Sequence, residues 1–147
     1  MKVIFDKENI QPGLPGIILL SHGPLAPAIV ESALLIIGEQ PNLAAFGLET
    51  VDTLEDYSTA VMEAYHAFEG NALVLIDLYG GTPCNQMILA ALKNKLDILA
   101  LSGLNLPMVM DACTLRQDAS GPELLEQVEE VAKIGIVNIT SKLAKHE

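Results

Sequence analysis

The side chains of this chain best equipped for chemistry are His22, in "IILLSHGP" at 17–24, and Asp77 with Thr82, in "LIDLYGGTP" at 75–83. An imidazole is a nucleophile when it is neutral, with a lone pair on one ring nitrogen and a proton on the other. A carboxylate that accepts that ring N–H fixes the tautomer and offsets the charge that develops on the ring; Asp77 is the candidate. Gly23, Gly80 and Gly81 let the backbone approach an anion closely, and Thr82 adds a hydroxyl. Both motifs run into predicted helices, whose first N–H groups and dipoles favour negative charge. This set suits a phosphoryl group. Acyl transfer fits less well, because no serine or cysteine stands in a GxSxG elbow.

Taken singly, each of these residues has an ordinary explanation. A histidine at a strand end is commonly a surface or hydrogen-bonded side chain, an aspartate after "LVLI" caps a turn, and Gly-Gly before Thr-Pro is common helix-start chemistry. Their weight depends on whether the fold brings them together.

Other reactive residues read as bland. His66 falls on the polar face of its helix, and His146 in a terminal tail. Cys84 and Cys113 have no CxxC spacing and read as reduced thiols with packing roles, although a first-turn position such as that of Cys84 lowers thiol pKa. Histidines at 22, 66 and 146 suggest no metal cluster. Neither GxxxxGK[ST] nor GxGxxG occurs, which argues against a bound nucleotide. The expectation is that no metal and no cofactor is needed.

Bulk properties set the frame. The chain has 147 residues, half of them hydrophobic and 18% charged, which points to one folded domain with a sizeable core rather than to disorder. No apolar run approaches the ~20 residues that span a bilayer. The start, "MKVIFDKENIQPGLP", lacks the pattern of a signal peptide, so a cytoplasmic location is expected. A net charge of −11 argues against nucleic acid and membrane surfaces and suits a basic protein partner.

Short apolar runs alternate with helical patterns. Strands are predicted at 16–21, 43–49, 72–77 and 97–103, and a fifth at "KIGIVNIT", 133–140. Helices are predicted from Pro24 to Gly38 with a stripe at 25, 29, 33, 36 and 37, and after an Asp52 or Thr53 cap with Leu54, Tyr57, Val61, Tyr65 and Phe68 on one side. A third follows Thr82 as cap and Pro83 at the first helical position, and a fourth follows Asn105. The last covers 121–133, with Ser120 and Glu123 spaced as a capping box. Strands apolar on both faces that alternate with helices imply an α/β fold: a doubly wound, mostly parallel sheet. With strand order 2-1-3-4, the ends of the first and third predicted strands meet at the point where the order reverses, where such sheets bind ligands. Ser21-His22-Gly23 and Asp77 to Thr82 lie just past those ends, so His22 and Asp77 are expected to converge.

Three motifs, "SHG", "LIDLYGGTPCNQ" and "LSGLNLPMVMDA", occur in order over residues 16 to about 140. Together they resemble the IIA component of the mannose–fructose–sorbose class of the bacterial phosphoenolpyruvate-dependent sugar phosphotransferase system (PTS). The resemblance implies a phosphotransferase that works through a phosphohistidine: His22 accepts a phosphoryl group from HPr and passes it to a IIB component. Asp77 matches the aspartate that orients the ring, and Thr82 the hydroxyl of the family's GG[ST]P loop. It further implies an indirect link to the IIC and IID membrane components, a location at the periphery of that transporter, and a homodimer that exchanges its last strand. In this frame residues 1–15 are an N-terminal extension and 16–147 a single IIA domain without a linker to a fused IIB. Donor and acceptor are then separate proteins, and transfer runs in line between two imidazoles. Two other readings of the same fold are a phosphorylation-dependent regulatory module and the phosphotransfer subunit of a dihydroxyacetone kinase.

Overall fold

The computed structural model describes residues 1–145; His146 lies outside them. Strands Lys2–Phe5 (β1), Gly16–His22 (β2), Leu43–Leu48 (β3), Ala72–Ile76 (β4) and Leu99–Ser102 (β5) form one sheet in the order β1-β3-β2-β4-β5. The four strands β2 to β5 are those expected from the sequence; they are parallel and stand in the 2-1-3-4 order. Helices Leu25–Ile37 (α1), Leu54–Ala67 (α2), Thr82–Asn94 (α3), Leu106–Leu115 (α4), Gly121–Ile134 (α5) and Ile139–Ala144 (α6) complete the chain.

The two central strands show why apolar residues fill every position. Ile17, Leu19, Leu73 and Leu75 pack with residues of α1, α4 and α5 on one face. Ile18, Leu20, Val74 and Ile76 pack with residues of α2 and α3 on the other. A strand covered on both sides needs no polar face. Thr53 caps α2 by accepting the Asp56 N–H, and Asn105 caps α4 by accepting the Met108 N–H, both as the sequence suggests.

Several elements differ from expectation. In α1 the buried row is Ala26, Pro27, Val30 and Ala33, whereas Leu25 and Ile36 are exposed. The small alanines bring the helix close to the sheet, which rotates the larger residues outward. In α3 the cap is Gly81, extended at φ −74°, so Thr82 and Pro83 become the first two helical residues. Ser120 does cap α5, but its side chain makes no cap hydrogen bond.

The predicted fifth strand is not one here. Residue 134 ends α5, the Gly135 and Ile136 N–H groups close its last turn on Val131 and Lys133, and Asn138 caps α6 through the Ser141 N–H. A β-branched composition makes a strand only when a neighbouring strand supplies the ladder. Among the described residues, the outer edge of β5 carries no such partner.

The N-terminal residues instead supply an edge strand. β1 runs antiparallel to β3, with Ile4 packed on one core and Phe5 on the other. The Phe5 ring lies 5.7 Å from that of Phe68, edge-on. Asn42 ties the following segment down. Its side chain accepts the Gln11 N–H at 2.6 Å and donates to the carbonyls of Gln11 and Leu14.

Candidate phosphoryl-transfer site

The parallel register sets the site. Leu20 of β2 lies opposite Ile76 of β4, and the Asp77 N–H continues the ladder to the Leu20 carbonyl at 3.0 Å. His22 and Asp77 therefore leave adjacent strands at the same height. The His22 Nδ1 stands 2.7 Å from Asp77 Oδ2, and the same oxygen accepts the His22 backbone N–H at 2.9 Å. Oδ1 accepts the Leu78 N–H at 2.8 Å. Three contacts thus anchor one carboxylate, whose side chain is only 9% exposed, while the imidazole beside it is 48% exposed. A carboxylate only accepts, so the 2.7 Å contact places the proton on Nδ1 and leaves the Nε2 lone pair without it.

Gly81 forms the seat of the ring. A Cβ at that position would stand 2.6 Å from His22 Cε1, closer than any side chain allows, and a tight 3.2 Å from Nε2. Nε2 is thereby set beside the start of α3. There Thr82 is half-buried, and the N–H groups of Thr82 and Cys84, in the first helical turn, have no acceptor within the helix. Asn85 holds the turn that leads in, by donating its side-chain amide to the Gly80 carbonyl and its N–H to that of Gly81. Gly80 takes φ +83°, which glycine adopts without strain.

The start of α1 is more closed than the sequence suggests. The Gly23 N–H donates to the Leu48 carbonyl at 2.7 Å, Pro24 and Pro27 have no N–H, and the Ala26 N–H donates to Ser21 Oγ at 2.8 Å. Of the two helix termini near His22, that of α3 offers more open donors.

Sequence reasoning assigned no part to Ser21, Gly47 or Tyr57. Gly47 had a legible signal, since glycine inside a strand marks close backbone approach; a Cβ there would lie 2.0 Å from the Gly23 carbonyl oxygen. Tyr57 is fully buried and donates to the Phe46 carbonyl at 2.8 Å. Burial foremost, and the Asp77 charge next, push its hydroxyl pKa upward, so it remains a neutral donor beneath the site. His66 is exposed on α2, and Cys84 and Cys113 are buried free thiols.

The His22 ring is half exposed at the carboxyl ends of the strands. Open grooves of about 780 Å³ between α2 and α3 and about 440 Å³ beside β5 do not include His22 in their walls. No helix among the described residues is long and apolar enough to cross a membrane.

Comparison with known proteins shows the family. Residues 16–129 match the family model described as PTS system fructose IIA component. The PTS system fructose-specific EIIA component of Bacillus subtilis is 31% identical over 122 residues, which cover 80% of this chain and 81% of that one. The PTS system sorbose-specific EIIA component of Lacticaseibacillus casei is 26% identical, over 86% and 92% of the two chains. The crystal structure of phosphotransferase system component EIIA from Streptococcus agalactiae superposes with a TM-score of 0.79 at 30% identity, covering 86% of this chain and 98% of that one. The chain belongs to the mannose-class IIA components of the phosphotransferase system, the family of phosphoryl carriers in bacterial sugar uptake.

Proposed function

We propose that His22 is the phosphoryl acceptor of this IIA component, that it is loaded by phospho-HPr, and that it passes the group to a separate IIB protein. The observation that carries this reading is the 2.7 Å contact between Nδ1 and Asp77, which leaves the Nε2 lone pair for attack. Nε2 attacks phosphorus in line, the P–N bond to the donor imidazole breaks, and its electron pair returns to that ring. The Nδ1 proton stays on His22, where Asp77 offsets the positive charge that the phosphorylated ring acquires.

Beside the start of α3, the Thr82 hydroxyl and the first-turn N–H groups stabilise the phosphoryl oxygens during transfer. Gly80 and Gly81 allow the close approach this requires, and Gly23 serves by turning the chain, since its own N–H is engaged. Exposure of the ring on an open surface supports delivery by a protein imidazole rather than by a small molecule held in a cleft.

The test is labelling. With phosphoenolpyruvate, enzyme I and HPr, the wild-type protein takes up phosphate, His22→Ala takes up none, and His66→Ala behaves as wild type. A purified cognate IIB then removes the label. Labelling that survives His22→Ala overturns the assignment.

Self-association belongs to the same reading. The exposed Ile136, Val137, Ile139 and Leu143, together with the outer edge of β5, which is unpaired among the described residues, support a homodimer that covers them. Sedimentation equilibrium at micromolar concentration is expected to give twice the chain mass of 15.7 kDa. A concentration-independent monomer removes this part.

A further inference from the structure

We propose that Ser21 is a positioning residue for transfer at His22; the inference rests on the reading of His22 as the acceptor. Alternation along β2 sends Ile17 and Leu19 toward α1 and Ile18 and Leu20 toward α2 and α3. By that pattern position 21 belongs to an aliphatic residue. It is instead a serine with no exposed surface, and a buried hydroxyl is retained only where partners satisfy it. Both partners lie in the turn that carries the nucleophile. Oγ accepts the Ala26 N–H at 2.8 Å and donates to the Gly23 carbonyl at 3.2 Å.

These two bonds hold the Gly23–Pro24 peptide, the second one after His22, against the first turn of α1. Gly23 sits at φ +56°, its N–H is held by the Leu48 carbonyl, and its carbonyl oxygen faces Gly47, where no side chain would fit. The Ser21 hydroxyl supplies the remaining restraint on that carbonyl and ties it to the first turn of α1. A shift of Gly23 is carried through the His22–Gly23 peptide to the Cα–Cβ bond of His22, and with it to the ring that must keep Nδ1 on Asp77 and Nε2 beside Gly81. Errors of about 1 Å in such placements lower rates on the order of 10²-fold. Ser21 thus acts through its neighbours and touches neither phosphorus nor the ring.

The experiment compares Ser21→Ala and Ser21→Thr with the wild type by two readouts. The first is the rate of phosphate uptake against phospho-HPr concentration. Ser21→Ala is expected to lower the maximal rate by about 10- to 100-fold with the half-saturating HPr concentration unchanged, and Ser21→Thr, which keeps the hydroxyl, restores most of it. The second is 15N NMR of the unphosphorylated protein. The His22 imidazole resonances move from the single Nδ1–H tautomer toward an averaged state in Ser21→Ala and return in Ser21→Thr.

Should Ser21→Ala fail to fold, Ser21→Cys keeps the volume with a weak donor and carries the same comparison. A folded Ser21→Ala or Ser21→Cys with wild-type uptake and wild-type imidazole resonances overturns the inference. Failure of the wild type to take up phosphate overturns the acceptor reading instead, and the NMR comparison still decides whether Ser21 holds the ring.

Discussion

A side chain at position 81 and the imidazole of His22 cannot share the space they would both occupy: a Cβ on Gly81 would meet His22 Cε1 at 2.6 Å. The backbone there, φ −74° and ψ 169°, is one that any residue adopts. Gly81→Ala should therefore displace the ring while leaving the fold intact. The expected loss of stability is about 1 kcal/mol or less, alanine being the poorer N-cap. Phosphate uptake should fall on the order of 10²-fold. Rapid-quench labelling beside urea denaturation separates the two effects, and unaltered uptake would mean that the ring need not rest on this backbone.

Asp77→Asn replaces an acceptor by an amide that also presents donors to Nδ1. The His22 ring then carries its proton on Nε2 in part of the population, where it blocks attack. Loss of about 10²-fold or more in the transfer rate is expected, with little change in melting temperature. The phosphorylated form should also hydrolyse or back-transfer faster, because its positive ring has lost its counter-charge. Equal rates for the wild type and Asp77→Asn would reduce Asp77 to a turn residue that holds the backbone N–H groups of His22 and Leu78.

Thr82 is tested by a pair of variants. Thr82→Ala removes the hydroxyl and is expected to slow transfer by about 10- to 100-fold, the range for one hydrogen bond to a charged group. Thr82→Ser keeps the hydroxyl and should stay within a few-fold of the wild type. If the serine variant is as slow as the alanine variant, the methyl group and its packing matter rather than the hydroxyl.

Arg116 governs the opposite end of the sheet. Its guanidinium is buried and donates to the carbonyls of Pro15, Pro41 and Asn42 and to Gln40 Oε1, with Nε left without a partner among the described residues. It therefore joins the starts of β2 and β3, a hundred residues apart from it in sequence for Pro15. Arg116→Met keeps much of the volume but strands these acceptors, and should destabilise by about 3 kcal/mol or more. Arg116→Lys recovers part. The midpoint of urea unfolding reads this directly, and a more stable methionine variant would show that burying the charge costs more than its bonds return.

Alkaline pH should weaken the fold. Burial raises the Cys113 thiol above its ordinary 9.0, only partly opposed by nearby Arg116, and raises the Tyr57 hydroxyl above 10.0. In both, the folded chain holds its proton more tightly than the unfolded one. Their stabilisation is complete below about pH 9 and is lost as pH climbs through the raised values. Urea midpoints at pH 7.5, 9 and 10 should fall in that order, and Cys113→Ala should flatten the decline. A thiol reagent at pH 8 should leave Cys113 unmodified until urea is added; rapid reaction in the native protein would place the thiol nearer the surface.

The arrangement of β2 to β5 and the meeting of His22 with Asp77 were legible beforehand for one reason. In a parallel sheet every carboxyl end lies at one edge, and with the strand order 2-1-3-4 the two polar residues that end the first and third predicted strands are neighbours. Caps at Thr53 and Asn105 were legible because a cap is local chemistry. β1 was not, because "KVIF" becomes a strand only on finding the open edge of β3. Residues 133–140 failed in the opposite sense: their composition favours a strand, yet among the described residues no strand pairs with them, and a helical cap at Asn138 takes over.

The amino-acid order alone determined which polar residues end the doubly apolar strands and at which end of the sheet they gather, because periodicity and strand-end position are properties of short stretches. Only the tertiary structure decided how the ring is held: the shared Oδ2 of Asp77, the absent side chain at Gly81, the Ser21 hydroxyl on the Gly23 carbonyl and the rotation of α1. These depend on distances between atoms far apart in the chain, and close packing fixes such distances only when every element is in place.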